Sequence, residues 1–321
     1  MTPSVSVVIP VYNAEKFLEE AVASVIAQKD DGVMEIILVE DCSTDNSLKV
    51  AEEICTKNSD LCRLLRHEGG QNKGAGASRN LGIKNSKGEY VCFLDADDYW
   101  LPGRLKGALQ LLSSTPEIDG VYDQTRMELE TEGEKARFSG RGETVKGDEV
   151  QREQFFAAYL NGQVGWDTLG IVVRRSAFDK VGRFNEKLRL RQDGQLWFRM
   201  AAILNLVRSP LGRPVAVYRR HGGNRFNPHQ RYSDPKSFSE SEFQVWESLF
   251  HWFKEKGIKD QRWELFFRAY LRGLGKIGYL SSAWQRAREE KRTTLFWHAM
   301  RTYLPGPRRI LRYLRYLANR Q

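Results

Sequence analysis

The sequence predicts an α/β protein with a mostly parallel central sheet flanked by helices and a helical extension at the C-terminus. Three observations carry this. Strand and helix patterns alternate through the first hundred residues, the strands are unbroken apolar runs, and beyond about Gln230 the pattern turns wholly helical. Alternation at this spacing calls for parallel strands joined by crossover helices. Strands buried on both faces read as continuous β-branched runs rather than as alternating ones.

Taken in order, "VSVVIPVY" is the first such strand, and Glu15–Ala27 then sets Phe17, Leu18, Ala21, Val22, Val25 and Ile26 at helical spacing. "EIILVED" is the second strand, followed by a helix through Leu48, Val50, Ala51 and Ile54. "CRLLRH" is a weaker third strand, from which a Gly-rich loop leads into a helix near Ala77–Asn85, and "YVCFL" is the fourth. Glu128 to Glu153 is charged and contains glycines, which predicts a mobile insert or a hairpin. "LGIVVRRSAF" resumes a strand, "DGQLWFRMAAIL" an amphipathic helix, and "PVAVYRRH" a further strand. A helical stretch rich in Trp, Phe and Arg follows, broken at Pro305-Gly306-Pro307 before a last basic helix. The expected division is a domain over residues 1–228 and an extension over 229–321.

Composition narrows the classes. A hydrophobic share of 41% with 28% charged residues is that of a globular chain. No apolar run reaches the roughly 18 to 20 residues of a membrane span. The N-terminal stretch lacks a basic leader region and enters directly into a strand, so no secretory signal is expected. Cys42, Cys55, Cys62 and Cys92 are scattered and form no C-x-x-C pair, which argues against a disulfide framework or a zinc site and for a reduced, cytoplasmic protein. The net charge of +9 is local: residues 286–321 hold ten Lys/Arg against two Glu, leaving about +1 for the rest. No nucleic-acid partner is expected, because no recognised DNA- or RNA-binding motif accompanies that basic tail.

In parallel sheets, ligands bind beyond the carboxyl ends of the strands. The unusual polar residues fall there: Asn13, then Glu40 and Asp41, then Asp95, Asp97 and Asp98 in "YVCFLDADDYW". In extended chain, residues two apart point the same way, so Asp95 and Asp97 can converge while Asp98 faces elsewhere or starts a turn. Two carboxylates with open positions suit Mg²⁺ or Mn²⁺, which complete their shells with water and substrate phosphates. The plain alternative is turn chemistry, with Pro102 as the first residue of the next helix. Ser43, Thr44 and Asp45 are candidate helix caps. Gly74 and Gly76 form a G-x-G that lacks the last glycine of a dinucleotide fingerprint, but Lys73 and Arg79 beside it can serve a diphosphate. Asp193 opens an amphipathic helix as either a cap or a general base. His221 ends a strand where ligands gather.

Together these stretches resemble the inverting nucleotide-sugar transferases of glycosyltransferase family 2, which have the GT-A fold. The ordered motifs are "VSVVIPVYNAEKFL", "ILVEDCSTDNS", "NKGAGASRNLGIKNSKGEYVCFLDADD", "FDKVGRFNEKLRLRQDGQLWFRMA" and "YRRHGGN", spanning about residues 4–225. The resemblance implies that Pro10, Val11 and Tyr12 pack on the nucleoside and that Asp41 reads the base, usually uracil. It places Lys73 and Arg79 near the nucleotide and Asp95 on the ribose or sugar. The metal falls to Asp97, or in some relatives to the residue matching Asp98, with His221 reaching the metal or diphosphate. Asp193 matches the base that deprotonates the acceptor. The implied cofactor is Mn²⁺ or Mg²⁺, the co-substrate a nucleotide-sugar, and the acceptor a saccharide or lipid-linked saccharide of surface polysaccharide synthesis. Two positions depart from the pattern. Glu40 replaces an Asp, and Gln192 replaces a Glu beside the base, so the base is kept while its acidic neighbour is lost. A catalytically inactive relative that binds nucleotide-sugar as a scaffold is the rival expectation.

After Pro307, "RRILRYLRYLANR" sets Ile310, Leu311, Leu314 and Leu317 on one helical face, flanked by Arg308, Arg309, Arg312 and Arg315. Such a helix either docks on the protein with its arginines in water or lies on an anionic membrane surface. Trp284, Phe296, Trp297 and Tyr303 upstream fit an interfacial belt or a core. The second option makes the protein peripheral on the inner face of the membrane.

Overall fold

A computed structural model describes residues 4–130, 132, 150–221, 235–276, 279–291, 293 and 296. The four runs read as buried strands form β1 (Val5–Val11), β2 (Val33–Glu40), β3 (Cys62–Arg66) and β4 (Tyr90–Phe93). All are parallel and lie in the order β3-β2-β1-β4. Helices α1 (Leu18–Ile26), α2 (Ser47–Lys57) and α3 (Ala75–Asn85) make the crossovers. Helix α1 buries Leu18, Ala21, Val22 and Val25, the i, i+3, i+4, i+7 face that its sequence presents. Helix α3 starts earlier than its apolar spacing suggests, because Gly74 takes a positive φ of 90° and turns the chain into it.

Beyond β4 the chain forms β5 (Tyr99–Trp100), α4 (Lys106–Ser114), β6 (Gly120–Tyr122), β7 (Thr125–Leu129) and α5 (Arg152–Leu160). Then come β8 (Ile171–Arg174), α6 (Ala177–Val181), α7 (Gln192–Ile203), β9 (Leu206–Arg208) and β10 (Ala216–Arg220). The main sheet has the order β3-β2-β1-β4-β8-β6-β9, with β8 alone running against the rest. A second sheet, β5-β10-β7, stands apart from it.

Some expectations need correction. Pro102 does not open a helix: it lies in a turn, and α4 begins at Lys106. Glu128 and Leu129 are not part of an insert but the end of β7, because they pair with Arg219 and Arg220 of β10. Residues 131 and 133–149 of the expected insert lie outside the described residues.

Contacts divide the chain into two compact units, residues 1–225 and 226–321. The first has its core in the sheet, where Val7, Ile9, Ile36, Leu38, Cys92 and Val172 are fully buried. The second holds α8 (Pro235–Glu255), α9 (Gln261–Lys276) and α10 (Leu280–Glu289). Its own core is aromatic: Phe253 stacks on Phe266 at 4.1 Å, and Trp263 on Phe267 at 5.5 Å. Phe296 is fully buried. Trp297, Tyr303, the Trp284 side chain and the basic stretch 308–321 lie outside the description. Among the described residues, no helix is long and apolar enough to cross a membrane.

Candidate active site

The polar residues flagged in the sequence collect where β1, β2 and β4 end. The loops after β1 and β2 are stitched together: Thr44 N donates to Asn13 Oδ1 at 2.8 Å, and Ala14 N donates to Ser47 Oγ at 2.7 Å. Asn13 takes a positive φ of 50°, a conformation Asn tolerates better than most residues. Val11 is buried, Pro10 half-buried, and Tyr12 is 48% exposed at the tip. Helix α2 is preceded by Asn46, not by one of the three expected caps, but Asp45 still takes the Ser47 N–H at 2.9 Å.

Both acids of the second motif organise backbone. Asp41 is 2% exposed, and its carboxylate accepts from Lys73 N at 2.7 Å and Gly74 N at 2.8 Å. Its carbonyl accepts from Asn72 Nδ2, and His67 Nε2 stands 3.6 Å from the carboxylate. Glu40, equally buried, accepts from Ser43 N at 2.5 Å and Arg66 Nε at 3.2 Å. Its longer arm thus spans from its own loop to β3. The Lys73 side chain is exposed.

The three aspartates after β4 share a turn closed by Asp98 N donating to Asp95 O at 3.0 Å, and each meets a different partner. Asp95 pairs with Arg79 of α3. Burial pushes its carboxyl up; Arg79 pulls it down, Asp97 and Asp193 push it further, and the net direction is upward. Asp97 Oδ2 lies 3.2 Å from His221 Nε2. That hydrogen bond raises the imidazole above its ordinary 6.5 and outweighs the opposing effect of burial. Asp98 is fully buried and faces the second sheet, where Oδ1 accepts from Arg219 N at 2.8 Å and Oδ2 has no partner among the described residues. Burial first, then Asp97 and Asp95, push its carboxyl well above the usual range.

Arg79 is 4% exposed, with its guanidinium 5.5 Å from the Phe184 ring, and its Nε and Nη1 are buried with no partner among the described residues. Buried donors are rarely left unmet, which marks this arginine as a candidate ligand-binding group. Asp193 is not the cap of α7. That position is Arg191, in a left-handed conformation at φ 59°, and Asp193 is the second helical residue. Its carboxylate accepts from Gly194 N at 2.7 Å, and its own N–H donates to Gln192 Oε1 at 2.9 Å. The Asp193 charge raises Asp95, as the smallest of the influences on it, and, after burial, Tyr159, so the three groups lie within electrostatic reach of one another.

Sequence reasoning missed the supports. Arg219 lies over the rings of Tyr99 at 4.6 Å and Phe17 at 5.5 Å and pairs with Glu20 at 2.5 Å. Phe17 in turn packs on His221, with ring centroids 4.6 Å apart. The available signal was two consecutive arginines, Arg219 and Arg220, in a stretch that otherwise reads as a buried strand. Arg189, 3.4 Å from Asn72 Oδ1, was also passed over. Among the described residues, no three His, Cys, Asp or Glu side chains gather as a metal group, so Asp97 and His221 stand as a pair.

Comparison with known proteins shows the family and the fold. Residues 6–182 match the family model described as Glycosyl transferase family 2. An "Uncharacterized glycosyltransferase" of Rickettsia felis is 27% identical over 258 residues, 79% of this chain and 39% of that one. "Uncharacterized glycosyltransferase alr2836" of Nostoc sp. is 30% identical over 233 residues, 68% of this chain and 66% of that one. The chain therefore spans 39% of the length of the Rickettsia felis relative. Among solved structures, S. aureus TarS 1–349 in complex with UDP-GlcNAc superposes with a TM-score of 0.59 at 17% identity, over 94% of this chain and 91% of that one. The same TarS fragment in complex with UDP gives 0.58. These likenesses show the GT-A fold.

Proposed function

Since the chain belongs to glycosyltransferase family 2, we propose that it moves a sugar from a nucleotide diphosphate donor to a saccharide or lipid-linked saccharide acceptor, inverting the anomeric centre. A UDP-hexose or UDP-N-acetylhexosamine is the donor. The observation that carries this reading is the turn after β4, where Asp95 holds the buried Arg79, whose other two nitrogens meet no partner among the described residues, and Asp97 meets His221.

Each group has a task that its surroundings suit. Arg79, with Nε and Nη1 unmet among the described residues, donates to the diphosphate, and Asp95 holds its third nitrogen in place. Asp41 accepts from the nucleobase: one backbone N–H on each oxygen leaves a carboxylate with further lone pairs. Asp97 and His221 would hold the divalent ion. Two protein donors leave positions for water and phosphate oxygens, and the imidazole favours Mn²⁺ over Mg²⁺. When bound, the ion neutralises charge on the leaving diphosphate. Asp193 takes the proton of the acceptor hydroxyl, an assistance of typically about 10²- to 10⁴-fold. The basic tail, with its apolar face, brings the protein to an anionic membrane where a lipid-linked acceptor would lie.

The test is UDP release in the presence of Mn²⁺ across UDP-hexoses and UDP-N-acetylhexosamines, with and without saccharide acceptors. Asp193→Asn should abolish transfer while UDP binding, measured by calorimetry, largely survives. Equal loss of both would sink the base assignment. Flotation with anionic and neutral vesicles tests the tail, whose binding should require the anionic lipid and weaken with salt.

A further inference from the structure

Gly76 belongs to the Gly-x-Gly that no nucleotide fingerprint accounts for. It is the second residue of α3, and its φ is outside the left-handed region, so the backbone does not demand glycine. Helix propensity alone would favour alanine there. Space is what forbids it: a Cβ on residue 76 would lie 2.9 Å from Gln192 Cγ and 3.6 Å from Gln192 Cβ and Phe184 Cβ. Carbons in contact prefer about 3.5–4.0 Å, so one side must move.

Neither neighbour is free to give way. Gln192 is 8% exposed, is the first residue of α7, and holds Asp193 N through its Oε1 at 2.9 Å. Phe184 is 3% exposed, and its backbone N and O are both tied to Asn80 of α3 at 2.9 Å. Asn80 Nδ2 also donates to Glu186 Oε1 at 2.7 Å. Residues 76 and 80 are one turn apart on the same face of α3, so the helix meets the 184–192 segment at two points. Arg79, which holds Asp95, sits on the same helix.

We propose that Gly76 is a positioning residue: its missing side chain lets the start of α7 close on α3 and sets Asp193 at its distance from the Arg79–Asp95 pair. The proposal rests on the reading of Asp193 as the base. A methyl group at 76 pushes Gln192, and the displacement reaches Asp193 through the hydrogen bond between them. The donor-side contacts of Asp41 with Lys73 and Gly74 stand before this point in the chain and are not disturbed.

Four forms of the full chain test it: Gly76→Ala, Gln192→Ala, the double variant and Asp193→Asn. The rate is that of UDP release from whichever UDP-sugar the wild type uses, UDP affinity comes from calorimetry with Mn²⁺, and crystal structures locate the start of α7. Gly76→Ala should lower kcat by about 10- to 100-fold, the scale of an ångström misplacement. UDP affinity should stay within about twofold, the mark of an interaction realised only in the transition state. The start of α7 should be shifted in the single variant and restored in the double, whose rate returns to that of Gln192→Ala. A Gly76→Ala enzyme at the wild-type rate, or a double variant no faster than it, overturns the coupling and leaves the base reading intact. An Asp193→Asn enzyme that keeps its rate overturns the base reading, whatever α7 does.

Discussion

Asp95, Asp97 and Asp98 occupy one turn of chain yet meet a guanidinium, an imidazole and a backbone amide respectively. Their spacing made part of this legible, since a period of two separates Asp98 from the other pair. The partners were not legible, because His221 lies 124 residues from Asp97 and only the second sheet brings it there. The loop-holding roles of Glu40 and Asp41 were hidden for the same reason: their acceptors are used by amides of Ser43, Lys73 and Gly74, and amides carry no sequence signature. The environments predict different outcomes on substitution. Asp97→Ala and His221→Ala should each weaken Mn²⁺ binding in the presence of UDP by about tenfold or more, the scale of a lost metal-site interaction. Asp98→Asn should leave that affinity unchanged, because Asp98 is fully buried against the second sheet and a side-chain amide oxygen can still accept from Arg219 N. Titration of Mn²⁺ by electron paramagnetic resonance distinguishes the three. An Asp98→Asn protein that loses the ion would return Asp98 to the metal site.

Close approach of α3 to β1 depends on Gly82, where a Cβ would lie 2.3 Å from Cγ1 of the fully buried Val8. Gly82→Ala should therefore destabilise by about 1–3 kcal/mol despite the gain in helix propensity, read as a lower denaturant midpoint at unchanged m-value. At the opposite end of the sheet, Glu35 accepts from Ser6 Oγ at 2.7 Å, Lys87 N at 2.6 Å and Arg63 Nη2 at 2.5 Å. Burial pushes this carboxyl up, but the hydrogen bonds from Ser6, Lys87 and Arg63 outweigh it and hold it below its ordinary 4.5. A depressed folded value means the stabilisation is complete above pH 4.5 and is lost as pH falls through the folded value. Glu35→Gln should cost about 1–3 kcal/mol at neutral pH and converge with the wild type in acid, so its stability curve has a flatter acid limb. The long strands were readable because burial on both faces leaves unbroken runs such as Val5–Val11. The second sheet was not, since Tyr99–Trp100 is too short to show a period and Thr125–Leu129 is only half-apolar. Both exist as strands because β10 supplies their hydrogen bonds.

The residues proposed to read the base, meet the diphosphate, hold the ion and take the proton all lie within residues 1–225, which form one compact unit with its own buried sheet. Residues 226–321 form another, with an aromatic core of Phe253, Phe266, Trp263 and Phe267. The charge divides in a similar way, because a net of +8 falls after residue 285 and only +1 before it. The proposed donor recognition and the basic tail are therefore separable in sequence and in charge. Units with separate cores generally fold alone when cut in the segment between them. A fragment of residues 1–225 should melt cooperatively and bind UDP with an affinity within about threefold of the full chain, as expected when the deleted part makes no contact with the ligand. Calorimetry on the fragment and the full chain in the same Mn²⁺ buffer measures this directly. Vesicle flotation of the same pair should show binding to anionic lipid by the full chain alone. A fragment that folds but has lost UDP would mean that residues 226–321 complete the donor site, and the assignment of that site to the sheet's edge would have to be redrawn.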